Sequence, residues 1–467
     1  MNFISSEFLL FCLLTVSIYW IVTEKIKVSI LLVASYIFYI FWDWRFTSLL
    51  VYLTLSNFIL TNLMHKQKDN RQKKLLLFSC IFQNLIILGV FKYLNFFTEG
   101  LIRIFEFFGM APDKPTFQIL LPLGLSFFIF QTTSYIIDVY RGSINPEESF
   151  INFATFVVYF PHMAAGPIMS AKDLLPQFSE KKVRPDFSSL QSSIFLIAIG
   201  LFRKIVIADT LAPMVNRVLG DPKSFGWQEI FLASIGFGLQ IYGDFAGYSS
   251  IARGISRLFG IEMMVNFRQP YLATSITDFW RRWHISLSSW FRDYLYIPLG
   301  GNQVSRSRNY INLLLVMTIA GLWHGPMLGF VFWGALHGFF LVIDKFQNTF
   351  RVSKSSQTFS VVVIKWFITQ SCVFFAWIFF RNPDLNDASY VIKAIIERKS
   401  GYVELGDVLL VLTATVVSFL VDFSERRTLR RNNLRRYFFN GALLGTILIV
   451  VIVLKSSTIV PFIYFRF

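Results

Sequence analysis

Three cysteines in 467 residues are too few to frame a disulfide scaffold or a redox centre. Cys12, Cys80 and Cys372 each sit inside an apolar run and make no C-x-x-C or metal-ligand spacing, so they read as packing residues. Charge is scarce too. Only 15% of residues are charged, against 54% hydrophobic and 18% aromatic, and the mean hydropathy is +0.54, outside the range of soluble globular domains. Several catalytic signatures are missing: G-x-S-x-G, G-x-x-x-x-G-K-[ST], H-E-x-x-H and H-x-x-x-x-D do not occur. A serine hydrolase and an ATP-driven pump are therefore unsupported. Low-complexity linkers, internal repeats and a separate soluble domain are also lacking. The opening MNFISSEF carries no positive charge before Lys25 and no small-residue cleavage pattern, so the first apolar run reads as a retained span.

What charge there is has one dominant sign, 44 Lys and Arg against 28 Asp and Glu, for a net +16. The basic residues gather in short loops between apolar runs, as in Glu24 to Lys27, His65 to Lys74 and Glu425 to Arg436. That is the positive-inside pattern of a multi-pass membrane protein, and it argues against nucleic acid as a partner. Apolar runs at 8–22, 28–41, 47–64, 75–91, 117–139, 189–207, 230–250, 309–323, 327–343, 359–380, 408–423 and 438–454 predict an all-α protein in the lipid bilayer. Roughly 10 to 12 membrane segments are expected, some of them re-entrant, with Gly236, Gly238, Gly243 and Gly247 interrupting the run at 230–250 around Asp244. The loop charges place the N-terminus outside and Trp42 to Arg45 at the outer interface. Residues 92–116 read as an amphipathic surface stretch. FPHMAAGPI (Phe160 to Ile168) has little helical character, and such backbone survives at membrane depth only inside protein or beside a cavity.

One stretch is ill suited to lipid: TSITDFWRRWHISLSSWFRDYLYIPLGG, Thr274 to Gly301. Read as a single helix, it starts at Ser275 with Asp278 three residues on, a capping-box-like pair, and stops at Pro298-Leu299-Gly300-Gly301. Trp280, His284, Leu287, Phe291 and Tyr294 would then share one face. Arg281, Arg282 or Arg292 at the bilayer centre would each cost roughly 2.5 to 3.5 kcal/mol, which places the segment at the interface or within protein. Its aromatic stripe of Trp280, Trp283, Trp290 and Phe291 fits packing as well as binding. Its arginines fit lipid phosphates as well as the phosphates of a donor.

Of five histidines, His65 lies in a basic loop and reads as solvated, while His162 and His337 stand in apolar settings where packing and function remain open. His284 shares its segment with charges that lipid rejects. His324 stands where Gly325-Pro326 breaks a span and frees carbonyls that need partners. Two buried imidazoles with no metal-ligand set point to proton transfer, in which a neutral histidine takes the proton from a hydroxyl attacking a carbonyl. That is acyl transfer without an enzyme nucleophile.

WRRWHISLSSWFRDYLYIPLGGN (Trp280 to Asn302) and GLWHG (Gly321 to Gly325) resemble the signature of the membrane-bound O-acyltransferase (MBOAT) family, in its bacterial alginate O-acetyltransferase branch. The resemblance extends through Leu121 to Gly142, FPHMAAGPI, Leu174 to Phe178 and Ile241 to Gly254, and covers most of residues 75–345 in order. It implies a single integral membrane domain over residues 1–467. The implied fold is a ring of helices around a thin centre, with a cytoplasmic funnel joined to an outer opening. By the same resemblance His324 is the general base and His284 assists by orienting substrate or relaying a proton. Trp280, Arg281, Arg292, Trp323, Asp244 and Gln131 are candidate substrate-binding residues.

The implied reaction takes acetyl from acetyl-CoA, with no permanently bound cofactor, across the bacterial cytoplasmic (inner) membrane. An SGNH-type acetyltransferase partner places the group on an extracytoplasmic polysaccharide such as alginate. One departure stands out: the branch commonly reads D-F-S-G-Y-S-D where this chain has Asp244 to Ser250, so Ser250 replaces an acid. Two rivals remain, transfer of D-alanyl or another acyl group to teichoic acid or peptidoglycan, and a transporter or flippase with a histidine proton relay. The latter would call for repeats.

Overall fold

A computed structural model describes residues 3–110, 119–163, 166–349 and 358–428, and every regular element among them is helical. Six helical stretches are long and apolar enough to cross a membrane, and shorter apolar helices accompany them. Leucines at positions 9, 10, 13 and 14 stand exposed beside such stretches, as lipid-facing side chains do. The chain is an all-α, multi-pass membrane protein that divides into two compact units, Met1–Leu190 with Ile255–Met264 and the remainder.

In the first unit, α1 (Ser6–Ile21) is capped by Ser5, whose hydroxyl accepts from the Phe8 N–H at 3.2 Å. The basic link expected at Glu24 to Lys27 is instead the first turn of α2 (Glu24–Asp43), because Lys27 pairs with Glu24 at 2.6 Å and lies over the Trp20 ring at 4.3 Å. Asp43 then caps a 3₁₀ turn by accepting from the Arg45 N–H and side chain, and α3 (Thr47–Lys66) follows. Next, α4 (Asn70–Phe107) runs straight through much of the stretch expected to lie on the surface. Its 38 residues make about 57 Å at 1.5 Å per residue, well beyond the apolar core of a bilayer.

α5 (Leu125–Tyr140) begins later than its apolar run, since Gly124 enters it in a left-handed conformation, φ 70°. Asn57 and Asn84 exchange amide hydrogen bonds at 3.1 Å between α3 and α4, and Asn84 also donates to Thr132 and Thr133 of α5. Such pairs are how polar side chains satisfy one another away from water. The unit also holds α6 (Phe150–Val158), the single turn α7 (Phe160–Met163) within FPHMAAGPI, and α8 (Ala171–Ser179).

Largely in the second unit, α9 (Phe187–Phe202) continues into a π-helical turn, Arg203–Ala208, then α10 (Asp209–Gly220) and the 32-residue α11 (Trp227–Leu258). The glycines expected to interrupt α11 do not. They allow close approach: a Cβ on Gly247 would lie 2.8 Å from the Gly200 carbonyl oxygen. After α11 the segment singled out above is not one helix. It is α12 (Ile276–Trp280), a turn, α13 (Ile285–Phe291) and a π turn, Arg292–Tyr296. The break comes at His284, which is left-handed at φ 41°.

α14 (Arg306–His324) stops at extended Gly325, and α15 (Leu328–Thr349) turns back along it. The two pack closely where Gly321 and Gly334 meet, since a Cβ on either would come within 3.1 Å of the other's backbone. α16 (Phe359–Arg381), α17 (Leu385–Ile396) and α18 (Leu405–Thr428) complete the described chain. The start of the expected loop at Glu425 belongs to α18, and the run expected at 438–454 lies outside the described residues.

Candidate active site

Ser275 caps α12 as expected, accepting from the Asp278 N–H at 3.1 Å. The carboxylate of Asp278 does not close the capping box; it accepts from Arg282 Nε at 2.9 Å. Asp344 of α15 takes the Thr277 N–H at 3.0 Å, which ties α12 to α15. Four residues after α12 ends at Trp280 the chain turns at His284. A left-handed histidine costs roughly 1–2 kcal/mol, and Asn266 supplies what holds it there. The Asn266 carbonyl takes the Ile285 N–H at 2.9 Å, while its Oδ1 takes the Ser286 N–H at 3.1 Å and hydroxyl at 3.0 Å.

The same Oδ1 lies 3.3 Å from His284 Nδ1. An amide oxygen only accepts, so Nδ1 carries the proton and Nε2 is left with a bare lone pair. That nitrogen is buried and without a hydrogen-bond partner, and the ring is wholly buried against Phe245 and Phe267 at 4.5 and 6.4 Å. Burial pushes the imidazole well below the ordinary histidine pKa. A neutral ring with one fixed, accepting nitrogen can take a proton from a hydroxyl or hold that hydroxyl in place.

His324, at the last position of α14, is also buried, with Trp323, Trp333 and Phe380 around it at 5.0 to 5.1 Å. Between the two histidines runs a chain of ring contacts. Trp333 meets Trp377 at 5.8 Å, Trp377 meets Trp283 at 5.0 Å, and Trp283 meets Phe267 at 5.1 Å. Of the aromatic stripe only Trp283 belongs to this wall between the imidazoles, with Trp280 bordering it at Trp333, while Trp290 packs on Phe291 and Tyr294.

Beside this wall opens a cavity of ≈ 670 Å³. Arg253, Arg268, Arg281 and Arg282 line it against Asp278, Asp422 and Glu425, with Tyr242 and Phe267 as its aromatic lining. The carboxylates are largely engaged. Asp278 pairs with Arg282, and the buried Arg203 guanidinium reaches Asp422 at 2.6 Å and Glu425 at 2.7 Å, while Tyr242 donates to Asp422 at 2.8 Å. Arg268 and Arg281 are exposed at the rim, so the cavity presents net positive charge.

Arg203 was not singled out in the sequence, nor was Asn266. Two adjacent cations, Arg203-Lys204, inside an apolar run were the available signal for the first; nothing local marks the second. Arg203 also donates to the Ser250 hydroxyl at 3.1 Å, a neutral acceptor, while Asp422 and Glu425 supply the opposite charge.

The other expected site residues scatter. Trp280 donates to His337 and borders the aromatic wall, and Trp323 packs on His324. Asp244 pairs with Lys204 at 2.9 Å beside Asp209. Arg292 is paired with its neighbour Asp293 and does not line the cavity. Gln131 lies in the first unit, where its amide donates to the Phe156 carbonyl at 2.7 Å. Among the described residues no group of three or more His, Cys, Asp or Glu is placed to hold a metal ion.

Comparison with known proteins gives this arrangement its context. The chain is 40% identical over 395 residues to the probable alginate O-acetylase AlgI of Pseudomonas putida, covering 83% of this chain and 79% of that protein. It is 34% identical over 391 residues to the peptidoglycan O-acetyltransferase of Helicobacter pylori, with 78% and 73% covered. A teichoic acid D-alanyltransferase of Streptococcus thermophilus is 30% identical over 235 residues, 48% of this chain and 56% of that one. Residues 143–381, which include both histidines, the aromatic wall and most of the cavity lining, match MBOAT, the membrane-bound O-acyltransferase family. The chain belongs to that family, and it is an O-acyltransferase.

Proposed function

We propose that the protein passes acetyl groups from acetyl-CoA in the cytoplasm, through the bacterial inner membrane, toward the O-acetylation of an extracytoplasmic polysaccharide such as alginate. An SGNH-type acetyltransferase on the outer face completes the transfer, the N-terminus lies on that outer side, and the whole chain acts as one enzymatic domain. The observation that carries the reading is Phe267, which lines the arginine cavity and also packs on the His284 ring. A donor whose phosphates sit at Arg268 and Arg281 thereby has its thioester end directed at the histidine wall.

In the reaction, the acceptor hydroxyl attacks the thioester carbonyl carbon and its proton goes to His324. The C–S bond breaks, the thiolate leaves, and the imidazolium returns the proton to the sulfur. His284 Nε2, a fixed acceptor, holds the incoming hydroxyl. Trp323 keeps the His324 ring upright. Acetyl is favoured over D-alanyl because the O-acetylating relatives match along about four-fifths of the chain and the D-alanyl transferase along about half. Turnover of purified protein with labelled acetyl-CoA and a hydroxyl acceptor tests the reading. Turnover only with a D-alanyl carrier thioester overturns the choice of acyl group, and solute movement without thioester consumption overturns acyl transfer itself.

Two variants follow from the geometry. Removing Arg281 or Arg268 as alanine is expected to raise the donor KM about tenfold, the low end for a charge-assisted hydrogen bond at an exposed site. kcat should be little changed, and the effect should shrink in high salt; donor titrations at two ionic strengths check it. Asn266→Ala frees the His284 tautomer and is expected to cost roughly ten- to thirtyfold in kcat, less than the roughly hundredfold or more that outright loss of a general acid–base group costs. Asn266→Asp, which still accepts from Nδ1–H, should retain more activity than the alanine variant in the same assay.

A further inference from the structure

A third imidazole stands in the same wall and has no part in the reaction as written. His337 of α15 is wholly buried, stacked on Phe279 at 6.0 Å and 8°, and set edge-on to Trp333 at 4.9 Å. Trp333 is also the ring against which His324 lies, at 5.1 Å. The two imidazoles therefore face the same indole.

His337 has the opposite polarity to His284. Trp280 Nε1 lies 3.3 Å from His337 Nδ1, and an indole N–H can only donate. Nδ1 is thus the accepting nitrogen, and a neutral ring carries its proton on Nε2. That N–H is buried with no partner, in a cage of Phe279, Trp280, Trp333 and Phe340 whose rings offer no hydrogen-bond acceptor. Native structures seldom leave a buried donor unmet. A ring needed only to fill this cage needs no nitrogen at that edge, and Phe would serve.

We propose that His337 is a further catalytic residue: its Nε2–H donates a hydrogen bond to the carbonyl oxygen of the acyl thioester and to the oxyanion formed when the hydroxyl adds. The inference rests on the acyl-transfer reading above. Trp280 is the positioning residue that holds the donating tautomer through Nδ1. His337 neither gains nor loses a proton in the step. The carbonyl π pair moves onto oxygen as the new C–O bond forms and returns as the C–S bond breaks, while the hydroxyl proton travels by way of His324 to the thiolate. Stabilising charge at the moment it develops is the largest single contribution many acyl-transfer sites make.

The test is kcat and KM of the purified full chain with acetyl-CoA and a hydroxyl acceptor, for wild type, H324A, H337F, H337Q and W280F. H337F keeps an aromatic ring without the donor and is expected to lose about a hundredfold in kcat with donor KM within about threefold, in line with removal of one oxyanion donor. H337Q offers an amide N–H at a similar reach and should recover to within about tenfold of wild type. W280F should cost about tenfold in kcat. H337F turning over within twofold of wild type overturns the proposal, and where that variant does not fold, W280F at the wild-type kcat does so. Wild type and H324A report separately on the parent reading. An inactive wild type sinks acyl transfer, whereas an active wild type, an inactive H324A and a fully active H337F sink only this inference.

Discussion

Substitution of His324 by alanine is expected to lower acyl transfer by about a thousandfold or more, within the range a positioned general base contributes. The ring sits at the end of α14, where Gly325 and Pro326 stop the helix, and it is gripped by Trp323, Trp333 and Phe380. None of Trp323, Trp333 and Phe380 can take a proton from a hydroxyl. The close approach of α14 and α15 at Gly321 and Gly334 is backbone to backbone, so the variant should still be inserted and folded although the ring's contact with Trp333 of α15 is lost. His324→Phe fills the cage without a base and should be as inactive as the alanine variant, which separates lost chemistry from a packing defect. Transfer within tenfold of wild type by either folded variant would assign the base elsewhere, with His284 the next candidate.

Arg203→Met is the second large effect, and it falls on stability. The guanidinium is buried and bonds to Asp422, Glu425 and Ser250. Removing it strands a buried carboxylate that keeps only the Tyr242 hydroxyl as a described donor. Breaking a buried pair from one side costs roughly 3–5 kcal/mol, because the remaining charge is left uncompensated. Equilibrium denaturation in detergent or bicelles should show a loss of that size, and Arg203→Met with Asp422→Asn should recover part of it. A loss below about 1 kcal/mol would mean that water already reaches this cluster and screens it as at a surface. Function should follow, since Asp422 and Glu425 line the cavity. With Arg203 gone they make its lining more acidic, and the donor KM should rise along with the fall in stability.

Much of the architecture was legible from hydrophobic run length, because a lipid solvent leaves few ways to satisfy a backbone. The stop at His324-Gly325-Pro326 was legible because proline and glycine act locally. The break at His284 was not. Three- and four-residue spacing from Trp280 to Tyr294 reads as one helix, and what overrides it is Asn266, eighteen residues before His284, which captures two backbone N–H groups and the Nδ1 proton. A contact between distant residues leaves no mark in a local pattern.

The glycines of α11 misled in the other direction. Their cost in helix propensity is visible in sequence, while the close approach of Gly200 that they permit is not. His337 stayed open for a similar reason: its setting is apolar throughout, and only the Trp280 N–H at Nδ1 shows which nitrogen carries the proton.

The central claim is that the arginine cavity and the histidine wall serve a single transfer, the first holding the donor and the second its acyl group. A structure of the full-length protein bound to a non-hydrolysable acetyl-CoA analogue tests this most directly. The account expects the phosphates against Arg268 and Arg281 in the ≈ 670 Å³ cavity, with the pantetheine arm passing Phe267 so that its acyl carbonyl lies within hydrogen-bonding reach of His324. Phosphates bound away from these arginines, or an acyl end remote from both His284 and His324, would contradict it.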